Sequence, residues 1–544
     1  MLQMVPSHRP LKWFPSLGLL LGLWSAPVLA AEQINLTFGS STQTIPTSDL
    51  ASFAQGRPPS RQLATFLSLV PASTGVQIQE FLQRRFDFSP GLISQFASTP
   101  TGQAVFRGLG ELIRTQNNEN GQQALITAFE RAAGTPAGLT MINILQQFPE
   151  PTLKLNGQLA MSTMVQLNQK RRNLSQTLTR IQTQAAAAPP MAIANPVNLS
   201  QPGGQQWQKL TLTFNQPQFS PQPIPVDLYL PQGLVSPAPL IVISHGFASD
   251  RSTFAYLAEH LASYGFAVAV PEFSGTSTQR VSGFLNQVDT ERIDLARSLV
   301  LRPLGISVLL DELEKKSKTD PSLASKMNLN QVGLLGQSLG GYTVLAAGGA
   351  TLDFAGLKQA CRNLGANQLQ ALFDLSVLFQ CQAASAPSVR TSFVDPRVKG
   401  IIALNPFTSL VFGQKGMGAI KLPTMIVAGT NDLFTPPLSQ QITPFTWMNA
   451  DQSSKYLVVL TAGTHFSFLG DMKNQSGAFA IPAELIGPDP ALARPSIQAL
   501  STAFFLSYIA KQEQYLPYLS QSYAQTVVQK PFTIDLVKSL NMNQ

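Results

Sequence analysis

From about residue 205 onward, short apolar runs alternate with amphipathic stretches. Leu210–Phe214 and Val226–Leu230 alternate apolar and polar residues, which predicts strands with one solvated face. Leu240–Ile243, Phe266–Val270, Val332–Leu335, Ile401–Leu404, Met425–Val427 and Tyr456–Leu460 are instead continuous apolar runs of strand length. A strand reads that way when both of its faces are buried, as in parallel sheets. Helical patterns separate these runs. The expectation is therefore an α/β fold over residues 206–512: a mostly parallel sheet covered by helices on both faces, with a cap insert at 351–396 and a tail at 513–544.

The first part of the chain reads differently. Ile34–Phe38 predicts a short strand. Helical patterns then run over Asp49–Ala54, Arg61–Leu69, Val76–Phe86, Pro90–Ser98, Thr101–Arg114, Gly121–Ala133 and Gly138–Phe148. Residues 32–151 are thus expected to form a small, mainly α-helical domain of unknown function. In residues 152–205, Met164, Leu167, Leu174, Leu178 and Ile181 mark the apolar stripe of a longer helix; at under three heptads, packing on its own chain is expected over a coiled-coil dimer. Ala185–Gly204, rich in Ala, Pro and Asn, reads as a linker.

Composition adds a frame. The chain has 544 residues, 44% hydrophobic and 12% charged. Residues 1–30 read as a secretory signal peptide: Arg9 and Lys12, an apolar core Trp13–Trp24, then Val28-Leu29-Ala30 as a small-residue cleavage site. That core is shorter than the roughly 20 apolar residues a membrane span needs, and no other stretch reaches that length. Export to the periplasm, a lumen or the medium is expected, with no transmembrane span in the mature chain. The remaining positive charge is spread without clusters, which argues against nucleic acid as a partner. The two cysteines, Cys361 and Cys381, fall within the cap insert, and an oxidising compartment makes them a disulfide candidate. Apolar Leu369, Leu372, Phe373, Leu375, Val377, Leu378 and Phe379 between them either line a pocket or simply pack.

The chemistry concentrates in Gln331–Gly341. A strand-like run leads into Gly336-x-Ser338-x-Gly340, and a small-residue helix pattern follows. This is the form of a nucleophile elbow, a tight strand-to-helix turn that exposes one hydroxyl. A serine needs a base, and the base needs an orienting acid. Only four histidines are present. His8 lies in the signal, and His260 reads as a surface or half-buried helix residue. His465, in Gly463-Thr464-His465-Phe466, is the one after Ser338 and is the expected base. Asp432, at the end of Met425–Val427 in Gly429-Thr430-Asn431-Asp432, is the expected acid. It lies one strand beyond Asn405, which cannot carry the needed charge. His245-Gly246-Phe247 follows an early strand, so the backbone amides of Phe247 and Leu339 are the expected oxyanion-hole donors. No metal-ligand spacing is found, and neither a metal nor a cofactor is expected.

Together these pieces, with Asp395-Pro396-Arg397-Val398-Lys399, resemble the α/β-hydrolase superfamily, and most nearly its dienelactone hydrolase-like and platelet-activating-factor acetylhydrolase-like branch. The resemblance spans about Leu210–Tyr508. It implies a serine ester hydrolase needing no metal. The chain departs from the acetylhydrolases at Asn405, where they carry the acid, and from dienelactone hydrolases proper by having Ser338 in place of cysteine. The N-terminal region resembles an uncharacterised domain found ahead of hydrolase domains in secreted cyanobacterial proteins. The expected function is an exported carboxylic-ester hydrolase acting on a small-molecule or lipid ester, esterase- or lipase-like. An acyltransferase or peptidase with the same triad, or a non-catalytic envelope binding protein, are the alternatives.

Overall fold

The computed structural model describes residues 30–541, apart from short stretches at 69–71, 87, 217–222, 286–292, 366–368, 370–372, 386–389, 450, 471–480 and 482. Residues 1–29 of the expected signal peptide, and Leu372, lie outside the described residues.

The N-terminal region is less purely helical than its sequence pattern suggests. Strands β1 (Gln33–Phe38), β2 (Ser41–Pro46), β3 (Ile113–Arg114) and β4 (Thr152–Asn156) form a four-stranded sheet in the order β2-β1-β4-β3. β1 and β2 make an antiparallel hairpin, while β4 runs parallel to β1. Two of these strands lie where helix or a domain boundary was expected. Ile113–Arg114 continues the apolar spacing of the preceding helix, and Thr152–Asn156 is too short to stand out from its polar surroundings. The helices pack on one another around Phe106, Leu125, Ala128, Ile144 and Phe148, all buried. Serine and threonine caps set their starts. Ser89 accepts from the Leu92 amide, and Thr99 from the Gly102 amide at 2.9 Å.

A helix of 30 residues, Gly157–Ala186, then leads to the second region, its first turn capped by Asn156. Only its C-terminal half fulfils the predicted stripe. Leu174, Leu178 and fully buried Ile181 pack on the large core, whereas Met164 and Leu167 are exposed. The linker is not free either. Leu199 is fully buried, and its amide donates to the Tyr523 hydroxyl at 2.9 Å.

The large sheet holds β5 (Trp207–Phe214), β6 (Ile224–Pro231), β7 (Ala238–Ser244), β8 (Ala267–Pro271), β9 (Met327–Gln337), β10 (Val398–Leu404), β11 (Thr424–Gly429), β12 (Lys455–Thr461) and β13 (Thr533–Val537). Its order is β13-β12-β11-β10-β9-β7-β8-β6-β5. The inner pairings from β8 to β12 are parallel, and β5, β6 and β13 are antiparallel. Alternation along β7 explains its continuous apolar reading: Leu240 and Val242 face one core, Ile241 and Ile243 the other. Helices Leu295–Thr319 and Leu339–Ala347 cover the first face; Ala255–Ala262 and Arg494–Tyr508 cover the second. This is the α/β-hydrolase arrangement. The tail contributes more than expected, because β13 pairs with β12 and closes that edge of the sheet.

Candidate active site

Ser338 stands between β9 and the helix Leu339–Ala347, with φ 55° and ψ −117°. A non-glycine residue in that region is strained, and the surrounding glycines permit it. A Cβ at Gly336 would lie 2.2 Å from the Gly340 carbonyl oxygen, and one at Gly340 would lie 1.9 Å from the Ser244 carbonyl oxygen. Neither contact is possible for any other residue. The turn can therefore close only with glycine on both sides, and it leaves the serine partly exposed above a helix N-terminus, where negative charge is favoured.

His465 and Asp432 meet across the C-terminal ends of β12 and β11. Nδ1 of His465 is 2.7 Å from Oδ2 of Asp432, and both residues are buried. The carboxylate is held on every side. Oδ1 accepts from the Phe434 and Thr435 amides, each at 2.8 Å; Oδ2 accepts from the Thr435 hydroxyl at 2.8 Å and from Asn405 Nδ2 at 2.6 Å. Burial works to raise the Asp432 carboxyl. The adjacent His465 ring, the Thr435 amide and Asn405 outweigh it, and the group titrates below its ordinary range. An ionised Asp432 makes Nδ1 the donor and leaves Nε2 with its lone pair. Phe434 and Phe466 flank the imidazole, with ring centroids 5.3 and 5.6 Å away. Gln337, immediately before the serine, donates to the His465 carbonyl at 3.0 Å and ties the elbow to the base's own loop.

His245-Gly246-Phe247 lies beside the elbow. A Cβ built on Gly246 would be 3.5 Å from Ser338 Cβ and 2.5 Å from Gln337 Oε1, so a side chain there would have to displace the Gln337 amide. Phe247 packs its ring edge-on against Phe379 of the cap helix Leu375–Gln382, at 5.9 Å. Leu339 is the first helical residue after the serine. Cys361, in the helix Phe354–Gly365, and Cys381, in Leu375–Gln382, are joined, with S–S 2.00 Å, which clamps the two helices together. Of the apolar cap residues, Leu369 and Val377 are buried, while Phe379 reaches the Phe247 loop.

Three parts of the site escaped the sequence reading. Asn405, dismissed as an acid, is a donor to the acid. It too has a positive φ, of 45°. Thr435 supplies both its amide and its hydroxyl to Asp432. Arg302 lies beneath the His245 loop, fully buried, and its only signal is a lone charge in the apolar run Leu299-Val300-Leu301-Arg302-Pro303-Leu304. His260, expected at or near the surface, is buried. Its Nε2 bonds the Leu199 carbonyl at 3.0 Å, because the linker folds over the helix face that carries it. Among the described residues there is no cluster of side chains suited to a metal ion. No helix among them is long and apolar enough to cross a membrane.

Two family models match the chain. One, described as "Alpha/beta hydrolase of unknown function (DUF1400)", matches residues 30–156; the other, "Platelet-activating factor acetylhydrolase, isoform II", matches residues 227–303. With the sheet order, these matches support assignment to the α/β-hydrolase superfamily, with a platelet-activating-factor-acetylhydrolase-like branch, and hence a hydrolase. No curated protein matches the chain. The second match covers the His245 loop and Arg302 but none of Ser338, Asp432 and His465.

Proposed function

We propose that the protein is an exported serine hydrolase of carboxylic esters, esterase- or lipase-like, with Ser338 as nucleophile, His465 as base and Asp432 as orienting acid. The observation that carries this reading is the strained Ser338 elbow together with the 2.7 Å Asp432–His465 pair at neighbouring ends of the same sheet. Ser338 Oγ attacks the ester carbonyl carbon while Nε2 of His465 takes its proton. Asp432 holds the Nδ1–H and stabilises the imidazolium that forms. The carbonyl oxygen becomes an oxyanion, received by the Leu339 and Phe247 amides. As the tetrahedral species collapses, the bond to the alcohol oxygen breaks and His465 returns the proton to it. Water then attacks the acyl-enzyme by the same route, releasing the acid and restoring Ser338. The aromatic and aliphatic cap residues beside Phe247 favour an apolar acyl group.

Hydrolysis of p-nitrophenyl esters from acetate to palmitate tests the proposal. Ser338→Ala and His465→Ala are each expected to lower kcat by about 10⁴-fold or more while the melting transition persists. A Ser338→Ala protein with unaltered turnover would end this reading.

A further inference from the structure

The peptides leading to the Phe247 amide have both of their carbonyls occupied. His245 Nδ1 bonds the Gly246 carbonyl at 2.8 Å, and the Phe273 amide donates to His245 Nε2 at 3.0 Å. One neutral tautomer satisfies both contacts: Nε2 accepts, so Nδ1 carries the proton. Arg302 Nη2 donates to the His245 carbonyl and lies 3.4 Å from Ser244 Oγ. A trans peptide is planar, with its C=O and N–H directed oppositely. The Gly246 carbonyl belongs to the same peptide as the Phe247 N–H, and the His245 carbonyl to the same peptide as the Gly246 N–H. Whatever holds those two carbonyls therefore aims the two amides.

Arg302 is itself closely confined. Its guanidinium carbon lies 4.4 Å above the Phe273 ring, and Nε and Nη1 are buried without a hydrogen-bond partner. Pro303 follows it inside the helix Leu295–Thr319 and has no N–H for the Leu299 carbonyl. The Tyr342 hydroxyl donates to that carbonyl at 2.6 Å, joining the helix to the one that begins at the nucleophile. Among the described residues no carboxylate pairs with this cation. An uncompensated buried charge is costly at rest, and it favours negative charge developing nearby.

We propose that His245 and Arg302 are positioning residues that lock the His245–Phe247 peptides with their amides turned toward the oxyanion, His245 serving as a fixed Nδ1–H donor. The inference rests on the ester-hydrolase reading of Ser338. Burial and the neighbouring Arg302 charge keep the His245 ring neutral, well below the ordinary histidine range. Burial lowers the Arg302 guanidinium to about 9, which leaves it charged at neutral pH.

Two amide substitutions separate the bonds of the imidazole. In His245→Asn the side-chain nitrogen takes the place of Nδ1 and keeps a donor for the Gly246 carbonyl. In His245→Gln the amide reaches the Nε2 position and loses that donor. His245→Gln is expected to lower kcat for a p-nitrophenyl ester about 100-fold, with KM within about threefold. His245→Asn should retain at least about tenfold more kcat than His245→Gln. Arg302→Met should lower kcat about 10- to 100-fold, and Arg302→Lys should recover part of it. A purely structural role costs both histidine variants alike; equal losses, or losses confined to KM, would overturn the proposal. Nitrogen NMR of ¹⁵N-histidine-labelled wild-type protein gives a readout that needs neither turnover nor a folded variant. A neutral His245 in the Nδ1–H form between about pH 6 and 8 supports the proposal, and an Nε2–H or titrating ring overturns it. Wild-type protein inactive on every ester would instead count against the ester-hydrolase reading alone, with the tautomer still deciding this one.

Discussion

At the residue scale, Asn405 shows how a position can change role without leaving the site. It follows β10 directly, one strand before Asp432, and the sequence excludes it as an acid because an amide cannot carry the charge. In the folded protein it is a donor instead. Its Nδ2 donates to Asp432 Oδ2 at 2.6 Å, while its own Oδ1 is buried without a partner. That role was not legible, because a donor's value depends on which carboxylate oxygen folds against it. Ser338 and His465 stand out more readily as candidates, one from its glycine frame and the other by elimination among four histidines. The contact with Asp432 makes a prediction. Asn405→Asp places a second carboxylate against the first, and two such groups cannot both ionise freely. Asp432 now titrates below the usual aspartate range, so it stays ionised as the orienting acid. In the variant the shared proton is lost only at higher pH. The acid limb of the kcat/KM profile should therefore move upward by about one unit or more. A limb unchanged from wild type would mean that a carboxylate at 405 does not couple to the Asp432–His465 pair.

The cap helix Leu375–Gln382 carries the argument at the scale of elements. Its buried side carries hydrogen-bonded polar groups beside Val377. Gln380 is completely buried, accepts from the Leu410 and Val411 amides at 2.8 and 3.0 Å, and reaches Gln440 at 3.2 Å. Asp374, just before the helix, accepts from the hydroxyls of Ser376 and Ser439 and from Gln440 Nε2. The apolar residues of this insert were visible as candidates for a pocket, but nothing in their spacing distinguished Phe379, which meets Phe247, from Val377, which packs inward. Only the fold chooses. Gln382, next to Cys381, also receives the N-terminal domain, its Nε2 bonding the Thr101 hydroxyl at 2.8 Å. The disulfide thus fixes the helix that links that domain to the Phe247 loop. Paired Cys361→Ser and Cys381→Ser substitutions reopen a loop with a sequence separation of 20 residues. They should lower stability by about 2–4 kcal/mol, read from denaturant unfolding. KM for long-chain esters should rise more than KM for the acetate if, as proposed, the cap receives the acyl group. Equal effects on both esters would remove the cap from substrate binding.

Across the whole molecule, the sheet was legible and its edges were not. Each inner strand announces itself by an apolar run, because burial on both faces leaves no room for polar residues. Thr152–Asn156 and Thr533–Val537 carry mixed residues and read as boundary and tail, yet each completes a sheet. The linker was similarly misread, since Ala, Pro and Asn describe its backbone but not what covers it. Tyr518 and Tyr523 donate to or accept from the backbone at Val197 and Leu199, and His260 bonds the Leu199 carbonyl from below. Burial lowers His260 to about 4, so the folded protein keeps this ring neutral where the unfolded chain would protonate it. A depressed folded pKa means that stability is intact above the unfolded value near 6.5 and is lost as pH falls toward about 4. Within that window the one group contributes up to about 1.4 kcal/mol of lost stability per pH unit. His260→Gln keeps a donor for the Leu199 carbonyl and removes the titration. Its unfolding free energy should therefore fall less steeply than that of wild type between about pH 6.5 and 4. His245, depressed in the same direction, keeps part of the slope in both proteins. Parallel wild-type and variant curves would mean that His260 is not held neutral and that the linker is not seated on it, because a loosely covered ring would protonate without cost to the fold.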